Sequence, residues 1–231
     1  MSARTRLRTF ASDVRKLVYP PAWGKKSYSQ EGEDLLVGEL LARINKGFYV
    51  DVGCHHPHRF SNTYRLYRRG WSGLCIDPLP GVKRAFARHR RRDVVVEVGI
   101  SAAQGQLEYI MFNEPALNSF DPDTARSYEQ MDDYRIERRV QVPTLPLREV
   151  LASSRVGKID FMTIDVEGFD LEVIDSNDWT RWRPSVLVVE CHARRIEDVL
   201  DNPIYQRMQS LGYEAVQKTL RNVIFVDKAG E

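Results

Sequence analysis

The amino-acid sequence predicts an α/β fold with a mostly parallel, seven-stranded sheet, helices on both faces and a terminal β-hairpin. Two observations predict it. Short apolar segments rich in β-branched residues alternate with amphipathic stretches along most of the chain, which is typical of a parallel sheet buried on both faces. The last two apolar segments are separated only by a short turn, which predicts the hairpin at one edge of the sheet.

The first half of the chain contains three of the predicted strands. Before them, leucines at helical spacing predict a helix from an N-cap at Ser29 to Asn45. Gly47 and Gly70 follow the first two helices and end them. The strands are predicted at residues 48–52, 73–76 and 94–98, with helices at residues 61–69 and 80–89 between them.

The second half of the chain departs from strict alternation in two places. Strands are predicted at residues 158–164 and 186–189, and a helix follows Gly168. Before them, residues 106–112 and 139–143 form either a hairpin or two extended segments around a polar excursion. At the end of the chain, residues 212–216 and 222–226 are predicted to pair as the terminal hairpin.

The composition indicates one soluble domain with a basic extension. A chain of 231 residues with 42% hydrophobic and 29% charged residues has an ordinary globular size and composition. We expect no secretory signal, and no apolar run approaches the roughly 18 residues of a membrane span. Three cysteines without a CxxC pair favour a reducing, cytoplasmic location. We place the extension at residues 1–26 and the domain at residues 27–231.

Basic residues are concentrated in two runs. Residues 1–26 contain seven lysines and arginines against one acid, and the second run lies within residues 83–92. Either run is suited to contact phosphate or acidic lipid headgroups, so a peripheral membrane contact of the extension stays open. A solvated tail and a solvated helix face are the simpler interpretation. The sequence gives no indication of the oligomeric state.

Polar residues follow the predicted strands at their carboxyl ends, where ligands bind in open α/β sheets. Acids stand at four of the five strand ends and histidines at two, more than a purely structural edge needs. The segments are residues 51–57, 77–78, 99–101, 165–168 and 190–192. We therefore expect the functional site along this edge.

The acid that closes the second strand, Asp77, is the most informative of these residues. A carboxylate at this point can accept hydrogen bonds from both hydroxyls of a ribose, and its spacing from Gly53 fits that role. The alternative is that Asp77 caps the following helix. The glycine-rich pattern G-x-G-x-x-G is missing after the first strand, which argues against a dinucleotide and favours a cofactor without phosphates.

Several short motifs, in order from about residue 27 to residue 192, together resemble the FkbM-type methyltransferases. They are Ser29-Gln-Glu-Gly-Glu-Asp34, Gly47-Phe-Tyr-Val-Asp-Val-Gly53, His56-Pro57, Ser61-Asn62-Thr63, Gly70-Trp71, Ile76-Asp77-Pro78, Ile164-Asp165-Val-Glu-Gly168 and Val189-Glu190. The resemblance implies a Rossmann-like class I methyltransferase fold, to which five parallel strands and a terminal hairpin conform. Many members carry a second glycine after the first strand, where this chain has Cys54-His55-His56-Pro57.

The resemblance implies S-adenosylmethionine as methyl donor and, commonly, O-methylation of a sugar or another small hydroxylated molecule. The cofactor site it implies has Asp51 and Gly53 beside the methionine part, Asp77 and the adjoining Pro78 at the ribose, Ile100 and Ser101 near the adenine, Gln30 and Asn62 closing the pocket, and Asp165 facing the sulfonium or the acceptor. His55 and His56 are assigned to the acceptor substrate.

An acceptor hydroxyl must lose its proton to a base or bind a metal ion before it reacts readily. We expect His192 to be the base, because an imidazole titrates near neutral pH, with Glu190, Glu167 and Asp165 as further catalytic candidates. A surface role for His192 and a helix-start role for Glu167 are the alternatives.

Metal sites are the other possibility at this edge. Asp165, Glu190 and His192 form a set that suits a hard cation such as Mg²⁺. A zinc site in the run from Cys54 to His58 is disfavoured, because those ligands are too crowded for the usual spacing.

Two other functions compete with small-molecule O-methylation. A nucleic-acid methyltransferase is disfavoured, because the segment after the fourth strand is Asp165-Val-Glu-Gly168 and not an Asn/Asp-Pro-Pro-aromatic motif. A non-catalytic binding module that kept the fold is disfavoured by the acids at four strand ends, although a fold alone does not establish an activity. Acceptor contacts are expected from the excursion at residues 113–139, where Asn118, Ser119, Phe120 and Tyr128 are suited to bind a sugar, and from the N-terminal segment.

Overall fold

The computed structural model describes residues 24–193 and 195–228. In chain order, the strands of these residues are β1 (Phe48–Val52), β2 (Ser72–Ile76), β3 (Val94–Val96), β4 (Gly99–Ile100), β5 (Gly105–Phe112), β6 (Ile136–Leu145), β7 (Phe161–Ile164), β8 (Val186–Glu190), β9 (Tyr213–Lys218) and β10 (Asn222–Asp227). The helices are α1 (Glu33–Leu40), α2 (Tyr64–Arg68), α3 (Val82–His89), α4 (Pro122–Glu129), α5 (Leu147–Ser153), α6 (Asp170–Asp175), α7 (Ile196–Leu200) and α8 (Pro203–Ser210), and a 3-10 turn covers Pro115–Leu117.

A seven-stranded sheet with the order β3-β2-β1-β7-β8-β10-β9 forms the centre of the fold. Its first five strands pair in parallel, and β10 pairs antiparallel with both β8 and β9. The predicted mostly parallel sheet with a terminal hairpin is therefore confirmed. The hairpin inserts its second strand beside β8 and leaves β9 at the edge.

Helices cover both faces of this sheet, as predicted, because successive strand residues point to opposite sides. Tyr49 of β1 packs with the helix residues Val37, Leu66 and Phe86 on the face of α1, α2 and α3. Its neighbour Val50 joins the other core, which contains residues of α5, α6, α7 and α8. Each face thus buries one half of every central strand.

A second, three-stranded sheet contains the two extended segments that flank the polar excursion. Its order is β4-β6-β5, with β5 and β6 antiparallel and β4 parallel to β6. The two extended segments predicted at residues 106–112 and 139–143 are confirmed as paired strands. The excursion between them is not a tight turn, since it contains the 3-10 turn and α4.

The first predicted helix begins later than expected, and its cap is different. It starts at Glu33 after Gly32, which takes the left-handed conformation with φ of 92°. Ser29 is not the N-cap residue, but its hydroxyl oxygen accepts the backbone N–H of Asp34 in the first turn at 3.2 Å and donates to the carboxylate of Asp34 at 3.1 Å. The carboxylates of Glu33 and Asp34 accept backbone N–H groups of the preceding loop. These bonds keep residues 28–31 out of the helix.

The basic run within residues 83–92 is only partly the solvated helix face expected from the sequence. Arg90 is fully buried, and its Nε donates to the buried carboxylate of Asp93 at 2.6 Å. The same guanidinium donates to Tyr49 Oη at 2.8 Å and to Thr63 Oγ1 at 2.9 Å. Lys83, Arg84 and Arg88 remain exposed. The run therefore combines a surface with a buried ion pair.

Membrane and domain predictions meet the structure only in part. In the stretches 24–193 and 195–228, no helix has the length and apolar character that would let it cross a bilayer. The basic extension predicted at residues 1–26 lies almost entirely outside the described residues.

Candidate functional site

A cavity opens at the carboxyl ends of the central strands, where the sequence predicts the site. The space inside it, counting the part open to solvent, is about 710 Å³. The predicted site residues that line it are Gln30, Gly53, His55, Asp77, Pro78, Ile100, Asp165 and Glu167. The strand ends meet here because Val52 is in register with both Ile76 and Ile164.

Asp77 lies in this cavity with its carboxylate held by the backbone on both sides. It accepts hydrogen bonds from the backbone N–H of His55 at 2.7 Å and of Leu79 at 2.8 Å. Burial raises the pKa of Asp77 to about 6, against the lowering effect of these two bonds. The carboxylate is therefore oriented and charged at neutral pH, as an acceptor for two hydroxyls must be.

The capping role considered for Asp77 is wrong. Helix α3 begins after Gly81, and the side chain of Glu97 accepts the backbone N–H of Gly81 at 3.3 Å and of Lys83 at 3.0 Å. The side chain of Glu97 therefore accepts the free backbone N–H groups at the start of α3. The side chain of Asp77 is not needed there and faces the cavity.

Gly53 is required by the close approach of two loops. Its φ is 83°, and a Cβ there would collide with the backbone carbonyl oxygen of Asp165. The absence of a side chain lets the loop after β1 pack against the loop after β7. Gly53 lines the cavity as a consequence of that close approach.

One end of the cavity is apolar and aromatic. Ile100 lines it together with Val98, Tyr109 and Phe120, and the rings of the last two are 5.0 Å apart. An adenine ring suits such a surface. Tyr109 comes from the smaller sheet, and no sequence pattern connected that strand with the site.

Gln30 reaches the cavity because acids anchor its segment. Asp34 accepts hydrogen bonds from Ser27 Oγ at 2.7 Å and from the backbone N–H of Tyr28 at 3.0 Å. Glu31 forms an ion pair with Arg221 at 3.0 Å, which ties the segment to the turn between β9 and β10. The terminal hairpin thus helps to position the N-terminal side of the site.

The loop after β7 carries Asp165 and Glu167 and is held from below by Asp170. The carboxylate of Asp170 accepts the backbone N–H of Val166 and of Gly168, both at 3.2 Å. Burial raises the pKa of Asp165 to about 6, while His192 opposes the shift. Burial also raises the pKa of Asp170 to about 7, with Asp165 adding to it. No pattern in the sequence singles out Asp170.

The excursion holds the same loop from above. Ser119 Oγ donates to the carbonyl oxygen of Glu167 at 2.6 Å, and the hydroxyl of Tyr128 donates to its carboxylate. Gly168 has a φ of 97°, and a Cβ there would collide with Thr124 of α4. Ser119 and Tyr128, considered as sugar-binding residues, therefore support the loop, whereas Asn118 and Phe120 line the cavity.

Glu167, Glu190 and His192 form the group of potential metal ligands found among the described residues. One ligand atom of each lies within 4.8 Å of the others, and His192 Nε2 is 3.4 Å from Glu190 Oε2. Burial and the neighbouring acids raise the pKa of both glutamates. The predicted metal set had Asp165 in the place that Glu167 takes here. His192 itself is 56% exposed and lies outside the cavity lining.

Four other predicted residues do not line the cavity. Asp51 shares a strand face with Tyr49, so its carboxylate accepts the hydroxyl of Thr63 near the buried Arg90. Asn62 donates to Thr163 Oγ1 at 3.0 Å, and Ser101 donates to the carbonyl oxygen of Ala103 at 2.8 Å. His56 is exposed. Their predicted roles toward cofactor and substrate stay predictions.

An ion pair that the sequence did not indicate joins the two sides of the cavity mouth. Both terminal N–H groups of Arg59 donate hydrogen bonds to the carboxylate of Glu114, at 2.9 and 2.7 Å. The adjoining residues Phe60 and Pro115 line the cavity. The pair therefore connects the loop after β1 with the excursion across the site.

Backbone strain is concentrated at this cavity. Among the described residues, His55, Phe60, Glu167 and Arg155 are the non-glycine residues with positive φ. The first three line the cavity. Strained backbone of this kind tends to occur at functional sites, so it supports the location that the strand ends indicate.

The residues present fit the predicted cofactor. An aromatic and apolar surface suits adenine, an oriented carboxylate at Asp77 suits the ribose, and Asp165 adds a second acid to the lining. Both ring nitrogens of His55, which borders the cavity, are buried without a hydrogen-bond partner. A polar ligand in the cavity would give that ring partners.

Comparisons with known proteins identify the family. The model of the methyltransferase FkbM domain matches residues 51–215, and a search of curated proteins finds no significant match.

Similar solved structures include a TehB-like SAM-dependent methyltransferase from Corynebacterium glutamicum, with 13% identity, coverage of 97% of this chain and 100% of that chain, and a TM-score of 0.42. A precorrin-6y C5,15-methyltransferase from Geobacter metallireducens has 11% identity, coverage of 87% and 90%, and a TM-score of 0.43. The small RNA methyltransferase HEN1 has 12% identity, coverage of 91% and 28%, and a TM-score of 0.41.

The family match extends over more than half of the chain and includes all five strand-end segments, from Asp51 to His192. It implies S-adenosylmethionine as the methyl donor, which the cavity fits. The chain belongs to the FkbM methyltransferase family and is an S-adenosylmethionine-dependent methyltransferase.

Proposed function

We propose that this methyltransferase transfers a methyl group to a hydroxyl of a sugar, a glycan or another small metabolite. The observation that carries the proposal is the arrangement of the cavity. Asp77 and the aromatic end provide a place for the nucleoside part of the donor. Glu167 lines that cavity and also lies in the group with Glu190 and His192. The groups able to take or share a proton therefore stand beside the donor site.

The residues of the chain have distinct tasks in this proposal. S-adenosylmethionine supplies an electrophilic methyl group bound to a positively charged sulfur. Asp77 orients the ribose, the surface of Ile100 and Phe120 holds the adenine, and Asp165 balances the positive charge. Alignment of acceptor and methyl group accounts for a large part of the acceleration in such displacements. The support of the loop after β7 by Asp170 and Tyr128 serves this alignment.

His192 is our candidate for the group that takes the proton from the acceptor hydroxyl. Its imidazole is half exposed, where an acceptor can reach it, and the buried carboxylate of Glu190 lies behind it. A carboxylate in that position stabilises the imidazolium that forms when the proton arrives. Glu167 and Asp165 line the cavity itself and lie on the cofactor side of His192 in this proposal.

A methyl-transfer screen with labelled donor tests this function against glycans, lipids and small hydroxylated metabolites, with RNA and DNA as further acceptors. We expect label in an O-methyl group of a small molecule or glycan. Label only on nucleic acid, or only on nitrogen, would contradict the proposal. S-adenosylhomocysteine binding without transfer to any acceptor would favour a non-catalytic module.

The substitution His192→Gln tests the proton acceptor. Turnover should fall by about 10²–10⁴-fold, the usual contribution of general base catalysis, while affinity for S-adenosylhomocysteine should not change. His89→Gln, which alters an exposed histidine away from the cavity, is the matched control. Full turnover of His192→Gln would remove His192 from the mechanism.

A divalent cation is the second candidate for activating the hydroxyl, and the grouping of Glu167, Glu190 and His192 favours it. Two carboxylates and an imidazole suit Mg²⁺ or Mn²⁺. Calorimetric titration of the S-adenosylhomocysteine complex with each cation tests it, with Glu190→Gln as the comparison. Binding that Glu190→Gln removes would support the cation, and the absence of binding would leave His192 as a base.

A further inference from the structure

We propose that His55 binds the cofactor, with its imidazole hydrogen-bonded to a ribose hydroxyl of S-adenosylmethionine beside Asp77. This inference deepens the proposed function and rests on it for the identity of the ligand. The sequence assigned His55 and His56 together to the acceptor, but their contacts in the structure separate the two residues.

The position of His55 relative to Asp77 carries the inference. Its backbone N–H donates to Asp77 Oδ2 at 2.7 Å, and both residues line the cavity. A ligand whose hydroxyls reach the carboxylate of Asp77 therefore also comes close to the side chain of His55.

The ring of His55 lacks partners of its own. Nδ1 and Nε2 are both buried, and neither has a hydrogen-bond partner among the described residues. Buried polar groups in proteins are nearly always hydrogen-bonded, so this ring calls for a partner from the cavity it borders.

His56 provides the contrast on the neighbouring position. It is exposed, it does not line the cavity, and its Nδ1 accepts the backbone N–H of His58 at 3.1 Å and of Arg59 at 3.0 Å. Its side chain thus already has a structural task in the turn. Of the two histidines, His55 is the one whose ring has no hydrogen-bond partner among the described residues.

The chemistry of the ring matches a hydroxyl group. A neutral imidazole has one donor and one acceptor nitrogen, and a hydroxyl can serve either. Burial, together with the nearby charges of Arg59 and His56, lowers the pKa of His55 to about 4. The ring is therefore neutral at neutral pH, which suits a ribose better than the carboxylate of the methionine part.

The backbone of His55 is consistent with a ligand-binding task. Its φ is 43°, in the left-handed region that a histidine adopts only at a cost. That conformation directs the N–H to Asp77 and the side chain to the cavity wall. The same φ decides which substitutions are informative, because glycine and asparagine tolerate it well.

The first experiment measures the affinity of the full-length protein for S-adenosylhomocysteine and for 5′-methylthioadenosine, which lacks the amino-acid part. His55→Gly should weaken both by about three- to tenfold, the value of a neutral hydrogen bond. His55→Asn keeps a donor and an acceptor and should recover part of the loss. His56→Asn, which keeps an acceptor for the backbone N–H groups of the turn, is the matched control and should bind both ligands as the wild type does.

The second experiment assigns the contact to the ribose. Titrations with the 2′-deoxy and 3′-deoxy forms of 5′-methylthioadenosine remove one hydroxyl at a time. With the form that lacks the contacted hydroxyl, wild type and His55→Gly should agree within about a factor of two, as expected when the interacting partner is already absent. An undiminished difference with both deoxy forms would overturn the ribose contact.

The remaining outcomes separate this inference from the proposed function. Unchanged affinity of His55→Gly, with intact binding by the wild type, would overturn the role of His55 only. Equal weakening by His56→Asn would also overturn it. No binding of either ligand to the folded wild type would overturn the donor assignment and this inference together. Cofactor binding without a hydroxyl acceptor would overturn the proposed function and leave His55 as a ribose-binding residue.

Discussion

At the scale of single residues, Asp77 shows how a side chain can be held ready for a ligand. The two backbone N–H groups that it accepts come from the loops that follow β1 and β2. They favour the charged form, whereas burial in the cavity favours the neutral form and wins, so the pKa rises to about 6. The charge of Asp77 is therefore present at neutral pH and is lost under mildly acidic conditions.

The substitution Asp77→Asn is expected to weaken binding of S-adenosylhomocysteine at about pH 7.5. The loss should be about 1.5–3 kcal/mol, because a charged hydrogen-bond acceptor disappears. Isothermal titration calorimetry measures it. Glu97→Gln, which changes a neighbouring acid whose task is to hold the start of α3, should leave the affinity unaltered. Equal affinity of Asp77→Asn and wild type would take Asp77 out of the cofactor site.

The same residue predicts how this affinity depends on pH. Hydroxyl donors favour the carboxylate, so affinity should be highest above pH 6 and fall by up to about tenfold per pH unit below it. Asp165, whose pKa burial also raises to about 6, titrates in the same range and faces the same cavity. Asp77→Asn should therefore remove part of the pH dependence. With S-adenosylmethionine, whose sulfonium charge S-adenosylhomocysteine lacks, the double variant with Asp165→Asn should remove more of it. A flat affinity of the wild type between pH 5 and 7.5 would contradict both assignments.

At the scale of elements, the site consists of loops that reach one another across the sheet edge. Helix α4 and the residues before it hold the loop after β7, and the segment before α1 is tied to the terminal hairpin through Glu31 and Arg221. These contacts cannot be deduced from the strand lengths or the helix periodicity of the sequence. The paired segments around the excursion were predictable, because their residues alternate, but its return to the cavity was not.

The ion pair between Arg59 and Glu114 should slow cofactor exchange, because it joins two elements that line the cavity mouth. Partly exposed pairs contribute about 0.2–1 kcal/mol. Glu114→Gln is therefore expected to speed dissociation of S-adenosylhomocysteine by about 1.5- to fivefold, measured by stopped-flow displacement. The pair of Arg139 and Glu108, which lies between β5 and β6, offers the control substitution Glu108→Gln. Identical dissociation rates for the two variants would show that the Arg59–Glu114 pair does not restrict exchange.

At the scale of the whole molecule, two hydrophobic cores enclose the sheet, and a buried polar network crosses one of them. Arg90 and Asp93 have fully buried side chains and connect to Tyr49 of β1. Thr63 links this network to Asp51, next to the strand end that forms the site. The network thus joins β1 to the segments around α2 and α3.

Removal of Arg90 should destabilise the protein strongly, because Asp93 would remain buried without its counter-charge. Arg90→Met is expected to lower the free energy of unfolding by about 3–5 kcal/mol, measured by chemical denaturation. Arg88→Met changes an exposed arginine of the same run and should stay within about 0.5 kcal/mol of the wild type. Equal stability of the two variants would mean that the ion pair contributes nothing to the fold.

Other whole-molecule properties stay predictions. The cytoplasmic location rests on the cysteine pattern, and the three cysteines are buried and free of disulfides in the structure. The role of the basic extension rests on its charge alone, since most of its residues, 1–23, lie outside the described part of the chain.

The sequence by itself determined the fold class and the edge of the sheet at which the site lies. Alternating apolar segments decide which residues form strands, and the parallel arrangement then brings Asp77, Asp165 and Glu190 to one edge. These are local or topological consequences, and they need no knowledge of distances between side chains.

Only the tertiary structure decided which of those residues share the cavity. The two-residue period of β1 turned Asp51 toward Thr63, and the packing of α4 brought Glu167 to Glu190 and His192 in place of Asp165. Burial likewise separated Arg90 from the arginines beside it. Contacts of this kind depend on side-chain packing between distant segments, and a linear sequence shows the segments but not the packing.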